Sequence, residues 1–182
     1  MSTQRVEFPL SQLPNALTVA RLGVIPVFVV LVLRGEDGHS LAAGILFGVC
    51  AFTDQIDGWL ARRWRVESTF GKFADPLADR LMINAGVVLL AIEGRLPWFA
   101  VAIVIARDLL LILGSNFAIR SGYEFSVNAL GQAATWVLYS SVVAVLVTRE
   151  GTLFPIVLFY VGVGLSLAAA IGYLFAVRRA VR

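Results

Sequence analysis

The 182-residue chain has one cysteine, one histidine and one lysine. Each scarcity removes a class of explanation. Cys50 alone can form no disulfide within the chain, and with His39 it cannot complete a zinc site. Cys50 lies in an apolar run, where a thiol packs as a small hydrophobe against core or lipid. His39 shares a polar stretch with Arg34, Glu36 and Asp37 and is expected to be solvated. Charge is scarce too: 15% of residues are charged against 59% hydrophobic, and mean hydropathy is +0.84. That balance argues against an ordinary soluble domain and for membrane helices. Residues 1–12 are polar and mixed, without the charged-then-apolar order of a cleaved signal. Net charge is +3 and the pI about 9.5. The basic residues sit in short breaks between apolar runs, not in a patch interleaved with aromatics, so nucleic acid is not an expected partner.

Six apolar segments fill the chain: 13–33, 41–60, 73–92, 97–119, 127–148 and 153–177. Each holds about 20 residues, enough to cross a bilayer as a helix. Gly35, Gly38, Gly94, Gly122 and Gly151 lie in the breaks and suit turns. The expected fold is therefore an all-α membrane protein, six transmembrane helices in one bundle. With the N-terminus inside, nine basic residues fall on inner segments: Arg5, Arg62, Arg63, Arg65, Lys72, Arg120, Arg178, Arg179 and Arg182. Only Arg34, Arg95 and Arg149 fall on outer loops, while Arg21, Arg80 and Arg107 lie within spans. Cytoplasmic loops carry the excess of Lys and Arg, so both termini are expected to be cytoplasmic.

Against this apolar background, DQIDGWLARRWRVESTFGKFADPLAD carries Asp54, Asp57, Asp75 and Asp79. Spacings of three and four keep each pair on one helix face. Converging carboxylates repel one another and drift toward protonation unless a cation joins them. Carboxylate oxygens suit a hard ion, Mg²⁺ or Mn²⁺, and four can hold two ions, an arrangement common in phosphate chemistry. Gly58 and Ala61 leave room for a ligand beside the backbone. Arg62 is placed to meet a phosphate oxygen. Gly71 is expected just before the third helix, and Pro76 at an early helical position. The competing reading pairs the aspartates with Arg62, Arg63, Arg65, Lys72 and Arg80 at the membrane surface. Four acids so regularly spaced near a membrane favour function over surface pairing.

The pattern D-x-x-D-G-x-x-A-R-x8-G-x3-D-x3-D, formed by Asp54, Asp57, Gly58, Ala61, Arg62, Gly71, Asp75 and Asp79, resembles the signature of the CDP-alcohol phosphotransferase family at every defined position. The six-helix plan is similar as well, so the resemblance covers nearly the whole chain. It implies displacement of CMP from a CDP-linked donor by an acceptor hydroxyl, at a two-metal site on the cytoplasmic side of the plasma membrane. Asp54, Asp57, Asp75 and Asp79 would be the metal residues, and Asp79 would also take the acceptor proton. Gly58, Ala61, Arg62 and Gly71 would surround the CDP group. A homodimer is implied too. On this reading residues 1–12 are a cytoplasmic segment, 13–177 the transmembrane catalytic domain and 178–182 a basic cytoplasmic tail.

The opening LPNALTVAR places Asn15, Thr18 and Arg21 along one side of the first helix. Arg21, about two turns inside, either pairs with a carboxylate or contacts donor phosphates. This segment resembles the start of bacterial phosphatidylglycerophosphate synthases and CDP-alcohol-type cardiolipin synthases, which implies CDP-diacylglycerol as donor. Arg107 and Asp108 lie mid-span, so one or both should face the bundle interior. They form a structural pair with a neighbouring helix, or Arg107 binds the acceptor headgroup. Phosphatidylglycerophosphate synthases usually carry a second arginine two turns on, where this chain has Ser115. The run LGQAATWVLY resembles the GKAAT run of cardiolipin-synthase-like proteins more than GKxKT. Both departures lean toward phosphatidylglycerol as the glycerol-type acceptor, giving cardiolipin. Arg120 could instead serve glycerol 3-phosphate.

Two rivals fit less of the chain. A membrane prenyltransferase shares D-x3-D, but Thr53 and Ala61 break its other aspartate motif. A cation transporter would not explain Gly58, Ala61, Arg62 and Gly71, and the acids cluster near one face without lining a path.

Overall fold

A computed structural model describes the backbone of residues 8–64, 69–120 and 129–180, and the side chains of residues 20, 22–53, 80–111 and 130–172. The described residues form six helices: α1 (Phe8–Leu33), α2 (Leu41–Trp64), α3 (Thr69–Ile92), α4 (Trp98–Arg120), α5 (Ala129–Val147) and α6 (Leu153–Ala180). They contain no strand, only an isolated bridge between Glu36 and His39. The all-helical expectation holds. Leu33, Leu41, Ile92 and Leu153 end helices where the apolar runs end. Four helices overrun the apolar segments, α1 starting at Phe8, α2 reaching Trp64, α3 starting at Thr69 and α6 reaching Ala180, while α4 starts at Trp98 and α5 ends at Val147, each one residue inside its segment. Hydrophobicity marks what suits hydrocarbon; the N–H to C=O ladder continues past it.

That overrun corrects two expectations. Gly71 does not precede the third helix but is a residue of its first turn, and Pro76 lies in the helix interior. Pro76 therefore brings no N–H to the ladder at a point where one would normally donate.

Large apolar side chains face outward on every helix, among them Val27, Val49, Leu81, Leu110, Trp136 and Leu153. Leu110 is 67% exposed and Leu153 77%. A water-soluble monomer does not expose apolar surface on this scale. Two stretches among the described residues, Leu130–Val147 and Leu153–Gly172, are long and apolar enough to cross a membrane. Shorter apolar stretches lie in α1, α2 and α3. Together these features support a membrane protein.

The helix α3 packs on α1, α4 and α5, while α5 packs most extensively on α6 and also on α2. Phe28 of α1, Phe47 of α2 and Tyr139 of α5 pack in series as tilted rings, with centroids 5.5 Å apart at each step. A Cβ on Gly86 of α3 would meet the Phe47 ring and Val142 at 3.2 Å, so this glycine sets how closely α3 approaches. In lipid such contacts stabilise by fit, because moving apolar surface out of lipid gains far less than moving it out of water. Cys50 is half-buried against this core. Ser141 and Ser166 are fully buried, and each hydroxyl donates to its own helix, to Leu138 O at 2.7 Å and Val163 O at 2.8 Å.

One end of the bundle is fastened by hydrogen bonds between connections. The α3–α4 connection supplies Arg95. Its Nη2 donates to Val145 O at 3.1 Å and Thr148 O at 2.8 Å at the end of α5. Its Nη1 donates to Asp37 O at 3.1 Å in the α1–α2 connection. Ser40 N donates to Leu146 O at 2.9 Å. Terminal carbonyls that α5 cannot satisfy itself are thus met by two other connections. Gly38, at φ 67°, permits this, since a Cβ there would lie 2.9 Å from the Arg95 stem.

Candidate active site

The four aspartates stand on consecutive helices, Asp54 and Asp57 on α2, Asp75 and Asp79 on α3. Four residues, 65–68, link the helices. At 1.5 Å per residue, positions 54 and 79 each lie about 15 Å from that link, and positions 57 and 75 each about 10 Å. The two pairs are thus matched in distance along their helices. The aspartate side chains lie outside the described residues. So do those of Asn15, Thr18 and Arg21 on α1, Ala61 and Arg62 on α2, and Ser115 and Arg120 on α4. Gly58 and Gly71 are helical positions in the same segments.

Immediately beyond Asp79 the side chains are described, and Arg80, half-buried, joins a buried polar pair on α4. Arg80 of α3 donates through Nη1 to Asp108 Oδ1 of α4. Arg107 Nη1 donates to the same oxygen at 2.9 Å. Arg107 is 3% exposed and Asp108 1%, as expected of a mid-span pair facing the interior. Such charges in an apolar bundle persist only when paired, and breaking one such pair costs about 3–5 kcal/mol. Asp108 Oδ2 and Asn84 Oδ1 are buried and accept no hydrogen bond among the described residues.

Sequence reasoning anticipated that Arg107 and Asp108 turn inward, but not that Arg80 is the partner on the neighbouring helix. Nor did it single out Asn84. The available signal was a lone carboxamide one turn beyond Arg80 in an otherwise apolar run. Among the described residues, no group of three or more His, Cys, Asp or Glu gathers to hold a metal. The aspartates expected to ligate metal, on α2 and α3, lie outside the side chains searched. An all-oxygen donor set, without thiolate or imidazole, fits a hard divalent ion better than zinc or copper.

The family model for CDP-alcohol phosphatidyltransferase matches residues 11–174, from α1 through most of α6. The chain belongs to the CDP-alcohol phosphatidyltransferase family. It is similar to the CDP-diacylglycerol–glycerol-3-phosphate 3-phosphatidyltransferase of Bacillus subtilis, 34% identical over 147 residues, 74% of this chain and 76% of the relative. It is similar to the cardiolipin synthase (CMP-forming) of Streptomyces coelicolor, 36% identical over 170 residues, 90% of this chain and 74% of the relative. The CDP-diacylglycerol–glycerol-3-phosphate 3-phosphatidyltransferase of Escherichia coli K12 is 30% identical over 177 residues, 91% of this chain and 94% of the relative.

As a CDP-alcohol phosphatidyltransferase the chain is an enzyme, a transferase of phospholipid biosynthesis. Members of the family generally use divalent metals.

Proposed function

We propose that this transferase moves a phosphatidyl group from CDP-diacylglycerol to a hydroxyl of a glycerol-type acceptor and releases CMP. The observation that carries the reading is the eight-residue aspartate framework, set at matched distances on α2 and α3 inside a chain matched by the family from residue 11 to 174. Asp54, Asp57, Asp75 and Asp79 hold two divalent ions, Mg²⁺ or Mn²⁺. When bound, the ions supply charge neutralisation at the pyrophosphate and at the departing CMP. Gly58, Ala61, Arg62 and Gly71 surround the CDP group, and Asn15, Thr18 and Arg21 contact the donor from α1. Asp79 accepts the proton of the attacking hydroxyl. The acceptor oxygen bonds to the phosphorus that carries the diacylglycerol, the bond from that phosphorus to the bridging oxygen breaks, and CMP leaves with the electron pair. All six helices cross the plasma membrane, both termini and the site are cytoplasmic, and the enzyme works as a homodimer. The nine-to-three distribution of basic residues supports that orientation.

Phosphatidylglycerol is the acceptor favoured by Ser115 and by the LGQAAT run, and the product is then cardiolipin. Glycerol 3-phosphate is the second reading and carries similar weight. Relatives named for each reaction match at comparable identity, and Arg107 and Arg120 supply cations for a phosphorylated acceptor. The test is purified protein with CDP-diacylglycerol and Mg²⁺ or Mn²⁺, each acceptor given separately, with CMP and lipid products followed. Cardiolipin from phosphatidylglycerol alone supports the first reading. Product from glycerol 3-phosphate alone replaces it with the second. CMP release with neither would move the acceptor to another alcohol.

A further inference from the structure

The buried carboxylate of Asp108 has a task that the transfer chemistry does not assign. We infer that Asp108 is a positioning residue that acts through Arg80, fixing the rotation of α3 and hence the placement of the helix turn that carries Asp79. The inference rests on the proposed role of Asp79 as the residue that takes the acceptor proton.

Three observations converge on it. First, Asp108 is 1% exposed and makes the ion pair that joins α4 to α3. Its Oδ1 accepts from both Arg80 and Arg107, and its Oδ2 accepts nothing among the described residues. Among the described residues, the partners of this carboxylate are these two guanidinium groups. Second, Arg80 is the residue after Asp79. Successive helical positions are about 100° apart, so holding position 80 toward α4 fixes the direction of position 79. A rotation of α3 about its own axis is the motion that would carry position 79 away, and the pair to Asp108 resists that motion. Third, apart from Asn84, the buried residues of α3 beyond Arg80 are apolar, Met82, Ile83, Val87 and Leu90 among them. Apolar packing tolerates rotation by adjusting rotamers more readily than a buried charge tolerates the loss of its partner.

A small misplacement of a reacting group costs about 100-fold in rate. Asp108→Asn should therefore lower kcat by about 10–100-fold and leave KM for CDP-diacylglycerol unchanged. Arg80→Met should do the same, since it cuts the same link from the other side. It leaves Arg107 and Asp108 as a neutral pair, so it serves as the better-tolerated variant if Asp108→Asn does not fold. Because both changes act on one link, the double variant should be no slower than the slower single one. Arg80→Lys keeps the charge but not the fork and should recover part of the rate.

The measurements are kcat and KM for each variant, with melting temperature and CDP-diacylglycerol binding recorded on the same samples. Loss of kcat at unchanged KM, with sub-additive effects in the double variant, is the expected result. Wild-type kcat in folded Asp108→Asn or Arg80→Met would overturn the inference. So would losses that multiply in the double variant, or a rise in KM alone, which would make Arg80 a donor contact. Activity that falls only in proportion to folded protein would reduce the pair to a structural one and also overturn it. If the wild-type protein transfers nothing, the proposed function fails and takes the inference with it. If the wild type transfers and the variants match it, only the inference fails.

Discussion

Removal of the Arg95 side chain tests whether the fastened end of the bundle is held by that one group. Arg95 donates three hydrogen bonds to backbone carbonyls: Asp37 O, Val145 O and Thr148 O. A hydrogen bond involving a charged group contributes about 1.5–3 kcal/mol when well buried. The bond to Asp37 O is exposed and the other two are half-buried, so solvent replaces part of each. Discounted for that replacement, Arg95→Ala should cost about 3 kcal/mol. For a chain of this size that lowers the melting temperature by about 6–12 °C. Lysine carries a point charge on a flexible stem and cannot span three carbonyls, so Arg95→Lys should fall between the two. Position 79 lies 13 residues before Ile92, about 20 Å along α3, so turnover per folded molecule should not change. The assay is tryptophan-detected unfolding of detergent-purified protein at one scan rate, with CMP release measured on the same samples. A melting temperature within about 2 °C of wild type would refute the reasoning, because the three bonds would then be worth less than one ordinary hydrogen bond.

Three further outcomes follow from the site and the packing. Asp79→Asn should lower transfer by about 10²–10⁴-fold while the protein stays folded and binds CDP-diacylglycerol, and wild-type turnover would remove Asp79 from the mechanism. Chelation of divalent ions should stop CMP release, with Mg²⁺ or Mn²⁺ restoring it; release that persists in chelator would count against the carboxylate site. A Cβ on Gly162 would lie 2.9 Å from the Leu138 side chain and 3.2 Å from its backbone nitrogen, where α5 and α6 meet. Gly162→Val should therefore destabilise by about 1–3 kcal/mol, and an unchanged melting curve would show that this contact has slack.

The helix count was legible because each apolar run is long and each break is short. At the fastened end the boundaries were legible to within a residue, since the connections there are short, polar and glycine-bearing, with positive φ at Gly38, Gly94 and Gly151. At the other end they were not. Phe8 to Gln12 and Arg62 to Trp64 are helical beyond the apolar run, and composition alone does not say where a ladder of backbone bonds stops. The same effect moved Gly71 from a turn into α3. For the site, spacing identified the aspartates because period and chemistry agree at those positions. The Arg80–Asp108 pair was invisible because two charges 28 residues apart carry no local signal of which helix faces which. Six crossings of the membrane remain a proposal, supported by the apolar exterior and by the two long apolar stretches in α5 and α6.

The self-directed hydroxyls of Ser141 and Ser166 bear on how the chain is put together. An uncommitted hydroxyl in hydrocarbon is adhesive and bonds to whatever polar group a passing helix offers. Here each one is already occupied by a carbonyl three residues back on its own helix. At these two positions the hydroxyl proton is already spent. Neither hydroxyl can donate to a foreign segment while the nascent chain is threaded into the bilayer, and neither needs a partner helix to take its proton. Fidelity of assembly there falls to contour, most tightly where Gly162 admits Leu138. Such a seam is vulnerable to added bulk and indifferent to the loss of a hydroxyl.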